Sequence, residues 1–183
     1  MNYFINIEWL HDLEKQEKWE KIRKMLYNEW DKNKNDSDML IRLISECWYV
    51  LSFWDCSICK EGLSFQMFKN TLIECTEFGI NNFTDNSRFL CITGYMISIL
   101  PHLFYFNNDN DLFIEWEQKG IEMLRKSHEL DPDDHVAQIL NFNITSEIIE
   151  QNKVKDLLLP ELLGLFPNNT AIEKYFIDIL SVH

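Results

Sequence analysis

Glycine and proline are scarce, five and four in 183 residues. Strand-and-turn architectures punctuate the chain with such residues often, so their rarity argues against a β-rich fold. Long apolar runs are missing too, and none approaches the ~18 residues needed to span a bilayer. Residues 1–16 lack a basic leader followed by an apolar core, so no signal peptide is expected. The Gly-rich phosphate loop, the GxSxG elbow and the HExxH zinc motif are all absent, which removes the commonest signatures of catalysis. Paired cysteines are missing as well. Cys47, Cys56, Cys59, Cys75 and Cys91 are odd in number and several sit inside apolar helical patterns, which suits reduced thiols better than a disulfide framework. These absences lead to the expectation of a soluble, cytoplasmic, non-enzymatic protein.

What is abundant is apolar and acidic. Hydrophobic residues make up 46%, with 13 Phe, 6 Trp and 6 Tyr, too apolar a composition for a disordered chain. One domain spanning residues 1–183 can bury a sizeable core. The formal net charge is −13, but residues 1–35 are balanced, so the excess lies downstream. From Asp109 to Asp134, nine acids face only Lys119, Arg125 and Lys126. Such a field repels nucleic acid and attracts basic partners.

Periodicity predicts an all-α protein of about eight helices, arranged as helical hairpins stacked into an α-superhelix. The first covers 5–32, broken near His11, with Trp19, Ile22, Leu26 and Trp30 as its apolar stripe. The second covers about 38–54, capped by Asp36 or Ser37. A third runs over 64–78 from a Ser64 cap and closes at Gly79, a residue type favoured after the last turn. The fourth, about 87–106, carries Pro101 as a kink. A fifth opens at Asp111, a sixth covers 134–150 and a seventh 153–165. The last, capped by Asn169 or Thr170, reaches about 181.

The fifth helix and its following turn carry the most informative pattern. Leu112, Trp116, Gly120, Met123, Leu124 and Ser127 recur at spacings of three and four, and so share one face. Small groups at Gly120 and Ser127 let a neighbouring helix approach closely; glycine inside a helix costs about 1 kcal/mol relative to alanine, so packing is the reason to keep it. Asp131 then precedes Pro132, which ends one helix and suits the first turn of another. Gly120, Leu124, Ser127 and Pro132, followed by Asp133–Asp134, resemble the second helix and turn of a tetratricopeptide repeat. The resemblance covers about 20 residues. Upstream the pattern departs, with Phe104 and then Asn107–Asn108 where the repeat has a Trp and a Leu-Gly pair. A second proline turn, Phe166–Asn169, follows at close to the repeat's period.

Candidate metal chemistry is weak at each place it arises. Cys56 and Cys59 have the CxxC spacing, yet no strand precedes them and no second ligand pair exists for zinc. Asn107–Gln118 fails as a calcium loop, with Leu112 where Gly is needed and Gln118 where a bidentate Glu is needed. Asp131, Asp133, Asp134 and His135 read as helix-opening caps, because acids complement a helix N-terminus. Neither a cofactor nor a metal is expected.

Two functions remain. The whole-chain character, small and acidic without catalytic motifs, resembles the immunity proteins of bacterial contact-dependent toxin systems. That resemblance implies a basic toxin domain as partner, a nuclease above all, with no nucleic acid and no membrane. The candidate partner-binding residues are Asp109, Asp111, Glu115, Glu122, Asp133 and Asp134. The tetratricopeptide-like pattern implies the alternative, an adaptor or secretion chaperone.

Overall fold

The computed structural model describes residues 2–106, 110–145 and 154–181, with 142–145 by their backbone only. Helix dominates, and no strand occurs among the described residues. The elements are α1 (Leu10–Lys15), α2 (Trp19–Lys32), α3 (Ser37–Ser52), α4 (Phe65–Asn82), α5 (Ser87–Ile99), a 3-10 turn (Pro101–Leu103), α6 (Asn110–Leu130), α7 (His135–Thr145), a short helical stretch over 154–158, α8 (Leu162–Leu165) and α9 (Ala171–Ser181). No helix among the described residues is long and apolar enough to cross a membrane.

Local chemistry explains most of the boundaries. Asp36 caps α3 by accepting from the Met39 amide at 2.9 Å, and Asn86 does the same for α5 from Phe89. Ser64 caps α4. The break between α1 and α2 falls at Gln16–Lys18 rather than at His11, and Glu17 takes a positive φ of 54° to make it. Pro101 ends the fourth expected helix instead of kinking it. Without an N–H to donate, it opens the separate 3-10 turn after α5. Gly79 is no helix terminus, since α4 continues through it to Asn82. Its value lies in packing: a Cβ there would stand 2.3 Å from the Phe89 ring.

α3 is the most enclosed helix. It packs on α2, α4 and α5, and α9 returns from the far end of the chain to cover it. Trp48 of α3 meets Tyr175 of α9 edge to face at 5.3 Å between ring centres. The residues before α1 are drawn in as well. Tyr3 donates its amide to the Leu165 carbonyl at 3.0 Å, and Phe4 packs on Phe166 and Phe176.

α5 and α6 form the tightest antiparallel pair. At their crossing, a Cβ on Gly120 would lie 2.6 Å from the Ser98 nitrogen, and one on Gly94 would lie 2.8 Å from the Met123 Cβ. About two turns further along, Ser127 Oγ donates to the Ser87 carbonyl at 2.7 Å. The small residues of α6 therefore sit where the backbones touch, as their spacing predicts. Trp116 is 8% exposed and stacks on Phe104 at 6.0 Å.

Candidate functional site: the acidic face of α6

With Trp116, Gly120, Met123, Leu124 and Ser127 buried against α5, the opposite side of α6 is presented outward. At 100° per residue, Asp111, Glu115, Glu122 and Glu129 fall within a narrow stripe on that side, and all four are exposed. Of the cations on the same helix, Lys119 and Lys126 are engaged away from the stripe, and Arg125 lies against its far end. Lys126 pairs with Asp85 at 2.9 Å, Arg125 lies 4.0 Å from Glu129, and the Lys119 ammonium stands 4.2 Å over the Trp116 ring. Glu115 and Glu122 belong to no ion pair among the described residues. Beside the stripe, Ile114 is 56% exposed, and Phe113 in the first turns is exposed as well. Asp109 lies outside the described residues.

The remaining expected contact residues are in the α6–α7 turn. Asp133 is exposed there. Asp134 is already committed. Its Oδ1 accepts from the amides of Val136 and Ala137 at 3.0 and 3.2 Å, capping α7, and its Oδ2 accepts from the Tyr3 hydroxyl. Together with Asp131, Asp133 and Asp134 edge a pocket of about 220 Å³ that also includes Arg88 and Tyr3. So the structure brings Asp111, Glu115 and Glu122 together on one helix face and holds the turn acids apart from them, at the helix's other end.

Sequence reasoning missed a second charged assembly, inside the protein. Arg42 on α3 is fully buried, with Glu46 one turn later, Glu14 of α1 and Glu173 of α9 around it. Its Nη2 lies 2.9 Å from Glu46 Oε1 and 3.3 Å from Glu14 Oε1, and the guanidinium stands 5.2 Å over the Phe4 ring. The other Glu14 oxygen accepts from the Ala171 amide at 2.8 Å, at the start of α9. Glu173 folds back on the same helix start, accepting from the Thr170 amide and the Asn168 side chain. Burial drives the Glu46 carboxyl up to about 8; Arg42 opposes that shift, and the Glu14 and Glu173 carboxylates add to it. No signal in the chain announces this assembly except the Arg42–Glu46 spacing of four, which is ordinary on a helix surface.

The cysteines divide in two. Cys47, Cys75 and Cys91 are buried, and burial raises each thiol above its ordinary value. Cys56 and Cys59 are exposed. No group of three His, Cys, Asp or Glu side chains among the described residues is arranged to hold a metal ion.

Comparison of the chain with protein-family models, with curated proteins and with solved structures finds no match in any of the three.

Proposed function

We propose that this chain is a non-catalytic protein-binding module whose acidic α6 face docks a basic protein partner, and that the partner is a toxin domain, most concretely a nuclease, which the docking neutralises. The observation that carries this reading is the stripe Asp111–Glu115–Glu122–Glu129, exposed along about five turns, with Glu115 and Glu122 in no ion pair among the described residues and apolar Ile114 beside them. Exposed apolar groups next to a one-signed charged surface are what interfaces use, the first for desolvation and the second for steering. A nuclease needs a positive cleft for phosphate, so a negative helix face complements it.

The test is association kinetics, at two ionic strengths, against any basic toxin domain that a gene adjacent to this one encodes. Fast, salt-sensitive association is expected, together with loss of toxin activity in the complex. Replacing Asp109, Asp111, Glu115 and Glu122 by Asn or Gln slows association and flattens its salt dependence, while Ile114→Ser speeds dissociation. An on-rate and salt slope unmoved by the charge substitutions would place the docking face elsewhere.

A further inference from the structure

A cleft of about 510 Å³ opens where α1, α3 and α9 meet, within the size range of small-ligand sites. Four aromatic rings line one side of it in mutual contact: Trp19 on Tyr49 at 5.7 Å, Tyr49 on Phe53 at 4.8 Å and Phe53 on Tyr175 at 6.2 Å. The Tyr175 hydroxyl shares a hydrogen bond with Tyr95, which holds that ring in place. Against this wall stands the Glu14 carboxylate. Its oxygens accept from Arg42 at 3.3 Å and from the Ala171 amide and are hydrogen-bonded with Glu46, and since a carboxylate offers about four acceptor sites one is left for a further donor.

The sign of the field in the cleft follows from the buried assembly behind it. Glu14 and Glu173 both act on Glu46, and among the described residues the ion pairs of Glu14 and Glu46 are both with Arg42, so three acids gather about one cation. At the mouth, Lys15 and Lys174 are matched by Glu17 and Asp178, all four exposed and free to reorient. The Tyr49 hydroxyl is held above its ordinary value by burial first, and then by the acidic groups of Glu14 and Glu46. Aromatic faces attract cations through their quadrupole, and more strongly where water is thin. A ring wall opposite a carboxylate is therefore complementary to a charged group on an apolar stem. It offers little to an anion.

We propose that this cleft binds an organic cation, an alkylguanidinium or alkylammonium group, with its charge at Glu14 and its stem along Trp19, Tyr49, Phe53 and Tyr175. The group comes either from a free small molecule or from an arginine or lysine side chain of another protein. This site is separate from the α6 face and stands without it.

The experiment follows the Trp19 indole N–H in 1H–15N spectra during titration with N-acetyl-arginine amide, and with its neutral isostere N-acetyl-citrulline amide. A saturable shift with the arginine compound alone is expected. Phe53→Leu and Tyr49→Leu, which change half-buried rings, each weaken binding about three- to tenfold. Glu14→Gln weakens it further; its denaturant melt is recorded alongside, and the two ring variants carry the test if it unfolds. A peptide with one arginine flanked by Gly and Ser separates the sources. Binding as tight as the free compound's assigns the cleft to a side chain, and binding only of the free compound assigns it to a small molecule. Equal binding of citrulline and arginine compounds, no shift with either, or affinity unchanged in both ring variants overturns the proposal.

Discussion

The interior of this protein and the outer face of α6 use the same carboxylates for opposite ends. Glu46 is 1% exposed, Glu173 is fully buried, and both are fixed by what surrounds them. Glu115 and Glu122 stand in water. In the interior each carboxylate is close to Arg42, to a backbone amide or to another carboxylate, so removing one charge disturbs the rest. On α6 each charge is screened, and its influence is spent at a distance, on whatever approaches. Burial, then, decides whether a charge acts on the fold or on the solvent around it. Net charge counts both alike.

That contrast is open to direct tests. Arg42→Met should cost about 3–5 kcal/mol in urea melts at neutral pH, because it leaves buried carboxylates without their cation. A loss below about 1 kcal/mol would mean the interior charges are as independent as those on α6. Glu46→Gln comes next. Burial raises the Glu46 carboxyl to about 8, so the contribution of this one group to stability falls as pH rises from the ordinary carboxyl value near 4.5 to about 8 and is constant above. The variant, which needs no proton, should gain on the wild type across that window by up to about 1.4 kcal/mol per pH unit. Parallel stability curves would show that Glu46 ionises freely. Gly120→Ala tests the inner side of α6. Its Cβ would meet the backbone at Ser98 and Gly94, and a loss of about 1–3 kcal/mol is expected in thermal melts. Smallest of all, Glu115→Gln with Glu122→Gln should move stability by no more than about 0.5 kcal/mol, while changing association with a basic partner.

The helices were legible in the sequence because their signals are local. Caps at Asp36 and Ser64 and the spacing on α6 each involve residues within a few positions of one another. At Gly79 a distant group decides. Gly79 looks like a stop until the Phe89 ring is seen filling the space its missing Cβ leaves. The α1–α2 break carries no Gly or Pro, so nothing in residues 16–18 marks it. For the same reason the α6 stripe could be found from periodicity, whereas the Arg42 assembly could not. Glu14 and Ala171 are 157 positions apart, and only the return of α9 joins them.

That return has a consequence for synthesis. Trp48 of α3, Tyr95 of α5 and Phe4 all find ring partners on α9, at Tyr175 and Phe176. While the chain leaves the ribosome, more than a hundred residues follow Trp48 before those partners emerge. Through that interval α2 to α5 can assemble on one another, but one flank of α3 stays wet, with Arg42 and Glu46 beside it. Until α9 covers it, that seam exposes apolar surface, which is what makes an incomplete fold prone to associate, and the Arg42–Glu46 pair on it is the polar part that would still draw water.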